Sequence, residues 1–152
     1  MRVRDIIQKK GGEVITINAD QNIRDAIGLL NEYSVGALIV KGEGEQVVGI
    51  VTERDILRKC GEYADSMAGS GVSEEAVFSS VVQDFMTKEL VFGDSNDFPD
   101  YAMGIMTSNR IRHLPILDKG NLAGVISIGD LVNAHLEEKV LESQTLKEYL
   151  SR

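Results

Sequence analysis

The apolar positions of this chain alternate between the spacing of strands and the spacing of helices. The β-branched run Val14–Ile17 predicts a strand. The apolar residues of segment 23–30 then recur at i, i+3, i+4 and i+7, the spacing of one helix face, and Asp20 or Asn22 precedes them as a candidate N-cap. A strand followed directly by an amphipathic helix is typical of a mixed α/β domain.

The next segments predict a hairpin and a second helix. The runs Val35–Val40 and Val47–Val51 are too apolar for half-exposed strands, and the polar turn between them contains two glycines. A helix from about Glu53 to Lys59 is expected to stop at Gly61. The first half of the chain therefore has the predicted order β-α-β-β-α.

The same order recurs in the second half. Leu90–Phe92 matches Val14–Thr16 at an offset of 76 residues, and Pro99 opens a helix whose apolar stripe repeats that of the first helix. The runs Ile111–Ile116 and Leu122–Ile126 predict a second hairpin with a turn one residue shorter than the first. Because this turn is one residue shorter, the offset between equivalent residues is 76 before the turn and 75 after it.

The repetition divides the sequence into a first repeat at residues 1–65, a linker at 66–81 and a second repeat at 82–152. Each repeat opens with a similar lead-in, Val3–Ile7 in the first and Val82–Met86 in the second. Since each repeat has too few strands to bury its helices alone, we expect the two to pack as one pseudo-symmetric module.

Two further segments depart from the repeat. Ser66–Gly71 is rich in small residues and predicts a flexible connector, and Ser73 is a candidate cap for a short helix ending at Phe78. The last helix can run from Ile128 to Leu150, since neither Gly nor Pro interrupts it after its second residue. Its sparse apolar stripe predicts a surface for a partner, with a homodimer expected. This stripe consists of Leu136, Val140, Leu146 and Leu150.

One motif occurs in both repeats, as Gly49–Asp55 and as Gly124–Asp130, 75 residues apart. An apolar run ending in Thr-x-x-Asp or Ser-x-x-Asp predicts a buried strand that enters a helix. The first helical amides have no partner within the helix and favour negative charge, so a hydroxyl and a carboxylate beside them suit a sugar phosphate. The same residues also suit a helix cap, with Thr52 or Ser127 as the N-cap. Both interpretations remain open.

Composition narrows the classes of function. The chain has 152 residues, a hydrophobic fraction of 43% and a formal net charge of −8, which disfavours nucleic-acid binding. Its apolar runs are too short for a membrane span or a secretory signal. The lone Cys60 fits a reducing cytoplasm, and His113 and His135 lack partners at metal-ligand spacing.

Two β-α-β-β-α repeats that each close with Gly-apolar-apolar-Thr/Ser-x-x-Asp resemble a tandem pair of CBS domains, known as a Bateman module. The chain is most similar to the small bacterial CBS-pair proteins. The resemblance implies an α/β (α+β) fold and regulatory binding of an adenosine ligand such as AMP, ADP, ATP, NAD or S-adenosylmethionine. It implies no chemistry by the module itself. AMP is the ligand that we expect first.

The resemblance also implies two clefts, each combining the motif of one repeat with strands of the other. In each, the motif Asp would hold ribose and the hydroxyl would face phosphate. The first cleft would be formed by Ile50, Thr52, Arg54, Asp55, Leu90, Val91, Arg112, His113 and Pro115. The second would be formed by Val14, Ile15, Ala26, Gly36, Ala37, Val125, Ser127, Gly129 and Asp130.

The charges of the two predicted clefts differ. Arg54, Arg112 and His113 give the first cleft a charge-assisted phosphate environment, and the second has no cation at the equivalent places. The sequence therefore favours Asp55 over Asp130 as the ribose carboxylate of a phosphorylated ligand. Arg112 and His113 also fit a solvated strand end. Residues Gly93 and Phe98–Pro99 depart from the family pattern at the start of the second repeat.

Three classes of function stay open on the sequence. The first is a ligand-sensing module that acts through a protein target or a change of oligomer. The second is an interaction protein with vestigial clefts that acts through its acidic last helix. The third is an enzyme, which the sequence disfavours because it shows neither a nucleophile–base pair nor a P-loop.

Overall fold

Each repeat builds a three-stranded mixed sheet in the computed structural model, which describes residues 1–66 and 73–151. The strands of the first sheet lie in chain order and are β1 (Thr16–Asn18), β2 (Ala37–Lys41) and β3 (Val47–Thr52). The strands of the second sheet also lie in chain order and are β4 (Gly93–Asp94), β5 (His113–Asp118) and β6 (Asn121–Ser127). In both sheets the first pairing is parallel and the second is antiparallel.

The helices of the described residues are α1 (Val3–Lys10), α2 (Ile23–Tyr33), α3 (Glu53–Ser66), α4 (Glu74–Phe78), α5 (Val82–Phe85), α6 (Pro99–Asn109) and α7 (Ile128–Leu150). A short 3₁₀ turn at Glu43–Glu45 lies between β2 and β3. The Asn22 side chain caps α2, the Ser73 side chain caps α4, and Pro99 occupies the first turn of α6, as predicted. None of these helices is long and apolar enough to cross a membrane.

The strand register confirms the repeat. Ile17 of β1 lies opposite Val40 of β2, and Gly93 of β4 lies opposite Ile116 of β5. Each residue of the second pair is 76 positions after its equivalent in the first. The predicted α/β fold class is therefore confirmed.

The described chain forms two compact units. The central unit comprises Val14–Leu90, and the terminal unit comprises Met1–Glu13 together with the chain from Val91 onward. The lead-in helix of each repeat thus belongs with the sheet of the other repeat: α1 with the second sheet and α5 with the first. The sequence division at 1–65, 66–81 and 82–152 follows the repeats and did not foresee this exchange.

Each unit has its own apolar core. In the central unit Ile17, Ile23, Leu38 and Val51 are almost fully buried in one cluster. In the terminal unit the core is formed by strand residues, by helix residues and by the inner face of α1. Its fully or almost fully buried members include Val3, Ile6, Ile7, Ala102, Met106, Leu114, Ile116, Ile126 and Leu131. Burial of this apolar surface is the main term that holds α1 in the terminal unit.

The predicted end of α3 at Gly61 is wrong, because the helix continues to Ser66. Glycine costs about 1 kcal/mol relative to alanine inside a helix, so it stops a helix only where packing does not compensate. Here Cys60 and Tyr63 on either side of Gly61 pack against the core of the central unit. The packing of this helix face outweighs the local preference.

The strand limits differ from the sequence prediction by a few residues. Strand β1 begins at Thr16, so Val14 and Ile15 precede it, and β4 begins after Leu90–Phe92. The lead-ins, for which the sequence predicts no element, form the helices α1 and α5. The connector predicted at Ser66–Gly71 lies, beyond its first residue, outside the described residues.

Candidate functional site

The two motifs form equivalent junctions, which we call the central junction (β3 to α3) and the terminal junction (β6 to α7). In each, a strand ends at the motif hydroxyl residue and a helix starts at the next residue. The buried strand residues Val51 and Ile126 anchor the chain, and the following helix amides lie at the edge of the sheet.

The glycine that opens each motif makes room for a lead-in helix. A β-carbon on Gly49 would lie 2.7 Å from Met86 Sδ and 2.8 Å from the backbone oxygen of Thr87. A β-carbon on Gly124 would lie 3.2 Å from Cγ2 of Ile7. Met86 and Ile7 are equivalent residues of the two lead-ins, so each lead-in packs closely against the motif strand of its own unit.

At the central junction the carboxylate of Asp55 is already satisfied within the protein. Its Oδ2 accepts hydrogen bonds from the Thr52 backbone N–H at 2.9 Å and from the Thr52 hydroxyl at 3.2 Å. Its Oδ1 accepts a hydrogen bond from the Thr87 hydroxyl at 3.0 Å. Asp55 is 6% exposed, so its geometry is that of a buried helix cap.

At the terminal junction the carboxylate of Asp130 is more accessible. Its Oδ2 accepts hydrogen bonds from the Ser127 backbone N–H and from Lys10 Nζ, both at 2.8 Å, and its side chain is 24% exposed. Ser127 Oγ accepts from the Asp130 N–H at 3.1 Å, which completes a capping box. The two short hydrogen bonds to the carboxylate both address Oδ2, so among the described residues Oδ1 has no comparably short donor and can accept from a ligand.

Lys10 gives the terminal junction its local positive charge. Partial burial raises the pKa of Asp130, but the Lys10 hydrogen bond, the Ser127 N–H, the charge of Lys10 and the Ser127 side chain together outweigh it, and the pKa lies below its ordinary value. Asp130 is therefore a carboxylate at neutral pH. The sequence predicts no cation at the places equivalent to Arg54, Arg112 and His113, and the cation found at this junction comes from a different place, α1, 120 residues away in the chain.

Arg112 and His113 lie next to the terminal junction within the same unit. The Arg112 carbonyl accepts a hydrogen bond from the Ile128 N–H at 2.8 Å, and His113 lies opposite Ser127 in the sheet. The Arg112 side chain is exposed and His113 is half-buried. The family resemblance groups both residues with the Asp55 motif, and that grouping stays a prediction.

Gly36 and Ala37 lie next to the central junction, in the positions that Arg112 and His113 occupy next to the terminal junction. The Gly36 carbonyl accepts from the Glu53 N–H at 3.1 Å, and Ala37 lies opposite Thr52. The exposed Arg54 is on the first turn of α3. A cation there opposes the helix dipole, which favours an anion nearby.

The other predicted site residues vary in burial. Ala26 is fully buried in the central core, Ile50 is 7% exposed, and Pro115 is buried opposite Val125. The remaining four are half-buried: Val14, Ile15 and Leu90 in the central unit, and Val91 in the terminal unit.

Sequence reasoning missed Lys10 and Thr87, the residues that hold the two motif carboxylates. Each follows a lead-in that the sequence already showed to be repeated. The exchange of lead-ins between the sheets leaves no mark in the local pattern, so neither contact was foreseeable from the motif itself.

Comparison with known proteins agrees with this fold. The CBS domain family model matches residues 3–62 and 82–137. The mitochondrial CBS domain-containing protein CBSX3 of Arabidopsis thaliana is 35% identical over 156 residues, which span 97% of this chain and 71% of that protein.

Two solved structures extend the comparison. A CBS-domain protein from Agrobacterium tumefaciens is 38% identical, with a TM-score of 0.75 over 88% of this chain and 92% of that one. CBSX2, crystallised in complex with AMP, is 25% identical, with a TM-score of 0.66 over 91% of this chain and 98% of that one. The protein described here thus belongs to the CBS-domain family, as a tandem pair of CBS domains.

Proposed function

We propose that this protein is a regulatory module that binds an adenosine nucleotide, AMP first, and passes its occupancy to a protein target or to a second copy. The observation that carries the proposal is the terminal junction, where an open carboxylate oxygen, a helix N-terminus and an ammonium group lie together. The AMP complex of CBSX2 supports the choice of ligand class. ADP, ATP and NAD share the adenosine and are the next candidates.

We assign ribose recognition at this site to Asp130. Its Oδ1 is open to ribose hydroxyls, whereas Asp55 would have to give up its hydrogen bond from Thr87 to accept them. The sequence favoured Asp55 over Asp130 as the ribose carboxylate, and our proposal reverses that order. Ser127 and the first amides of α7 are suited to phosphate, because unpaired helix amides favour negative charge. Val125, two residues before Ser127 in β6, supplies a backbone carbonyl.

The proposed action is binding without turnover. CBSX3 and the Agrobacterium tumefaciens protein, both matched over most of their length, are CBS-domain proteins, and the junction residues are engaged in caps rather than in a nucleophile–base pair. The lone Cys60 suits a reducing compartment such as the cytoplasm, although CBSX3 is a mitochondrial relative.

Titration calorimetry of the protein with AMP, ADP, ATP, NAD and adenosine tests the proposal. We expect saturable binding of at least AMP at one site or more per chain. Guanosine monophosphate is the matched control, since it has the same ribose phosphate and a different base. Equal binding of both nucleotides, or binding of no adenosine ligand, would refute an adenosine-specific module.

A second candidate function, assembly through α7, is favoured by the exposure of that helix. Apolar side chains of its distal half are more than half exposed, and every described residue from Lys139 onward is exposed. The stretch of α7 from Lys139 to Leu150 has no covered side, and a helix as short as this stretch is marginal in water by itself, so we expect a partner to cover its apolar surface. We propose a second copy of the chain as that partner. The side chains concerned are Leu136, Val140, Leu141, Leu146, Tyr149 and Leu150.

Changing Leu136 and Val140 together to glutamate should convert a dimer into a monomer, because charged side chains cannot be buried unpaired in an apolar interface. Sedimentation equilibrium at tens of micromolar measures the mass. Gln83→Glu is the control, since it adds a charge at an exposed helix position outside α7. A monomeric unaltered protein, with and without AMP, would exclude the self-association.

A further inference from the structure

One ammonium group covers two acceptors of the terminal junction. Lys10 Nζ donates to Asp130 Oδ2 at 2.8 Å and to the Val125 carbonyl at 2.9 Å. Both acceptors belong to residues that the proposed function assigns to ligand binding. A ligand that donates to the Asp130 Oδ2 atom or to the Val125 carbonyl must therefore contact or displace the Lys10 ammonium group.

The backbone of Lys10 is held in place by α1, whereas its ammonium group can move. It is the last residue of α1, a helix held in the terminal core by Val3, Ile6 and Ile7. The next residue, Gly11, ends the helix in the left-handed conformation with φ 104°. The Lys10 side chain is 40% exposed, and its four-carbon stem lets the ammonium move while α1 stays in place.

From this geometry we infer that Lys10 determines the specificity of the Asp130 site, selecting phosphorylated ligands over neutral nucleosides. The inference rests on the proposed function. The two neighbouring hydroxyls of a ribose bind across both oxygens of a carboxylate, here Oδ1 and the Oδ2 to which Lys10 donates, so a ribose bound in this way displaces the ammonium from Oδ2. A nucleoside offers the displaced ammonium no anion, whereas a nucleotide offers its phosphate, one sugar ring away from the same hydroxyls. Lys10 thus weakens the binding of a nucleoside and strengthens the binding of a nucleotide.

The variant Lys10→Met tests the inference, because it keeps the length of the side chain and removes the charge. We expect AMP binding to weaken by about fivefold and adenosine binding to strengthen by about threefold, the range of a partly exposed ion pair. The ratio of the AMP affinity to the adenosine affinity, measured by calorimetry, should therefore fall by roughly 15-fold.

Two variants serve as controls. Lys9→Met removes the neighbouring ion pair between α1 and Glu137 of α7, away from the junction, and should leave the ratio unchanged. Lys10→Arg restores a cation and should restore the preference for AMP.

The outcomes separate this inference from the function on which it rests. If AMP and adenosine bind and Lys10→Met changes both affinities by the same factor, or neither, Lys10 has only a structural role and the inference fails alone. Adenosine binding that appears only in Lys10→Met supports it. If neither ligand binds the unaltered protein or the variant, the proposed function fails and this inference fails with it.

Discussion

Replacing Asp130 with asparagine should weaken AMP binding by about 10- to 150-fold, the loss expected when one hydrogen bond to a charged group is removed. Asparagine keeps an oxygen that can accept the Ser127 N–H, so the cap of α7 is largely preserved. What the variant loses is the negative charge that accepts ribose hydroxyls. Adenosine binding should fall as well, because the nucleoside has the same ribose.

The equivalent change at Asp55 should have a much smaller effect on binding and a larger effect on stability. Asp55 is buried and holds three donors, and a neutral amide in its place presents an N–H₂ group to one of them. Asp25→Asn is the control for capping alone, since Asp25 completes the capping box of α2 outside both motifs. Loss of AMP binding in Asp55→Asn with full binding in Asp130→Asn would show that the sequence-based order of the two carboxylates was right.

The second large effect is expected on stability, from Gly49→Ala. The added β-carbon would lie 2.7 Å from Met86 Sδ and 2.8 Å from the Thr87 carbonyl, and a backbone atom cannot move aside as a side chain can. Overpacking of this kind costs about 1–3 kcal/mol in the free energy of unfolding. The variant should also disturb the Thr87 hydroxyl that holds Asp55.

Urea denaturation of two other glycine variants provides the comparison. Gly124→Ala meets only the Ile7 side chain, at 3.2 Å, and should be destabilised less. Gly104→Ala, on the exposed side of α6 with no atom within 4 Å, should gain about 0.4–1 kcal/mol. An unfolding midpoint of Gly49→Ala equal to that of the unaltered protein would mean that the lead-in does not press on the motif strand.

Local features of the fold followed from the sequence because their causes are local. The limits of α7 at Ile128 and Leu150, the Asn22 cap and the Ser73 cap depend on residues within one or two helical turns. The end of α3 did not follow, because Tyr63 gains its packing from residues distant in the chain. Tertiary packing outweighs the propensity of a single glycine.

In the candidate site, too, the features with local causes followed from the sequence and the contacts between distant residues did not. The motif itself located both junctions, and the prediction that the motif residues cap their helices is confirmed by their hydrogen bonds. The cation beside Asp130 did not follow from the sequence, since Lys10 reaches Asp130 only through the exchange of lead-in helices. Thr87 reaches Asp55 by the same exchange.

The most direct test of the central claim is a titration of isotope-labelled protein with AMP, followed by backbone amide chemical shifts in two-dimensional NMR. Binding at the terminal junction predicts the largest shift changes in the amides of Val125, Ser127 and Asp130, with Lys10 among the affected residues and saturation at one affinity. Changes confined to the exposed half of α7, or no change at millimolar AMP, would contradict nucleotide recognition by this junction.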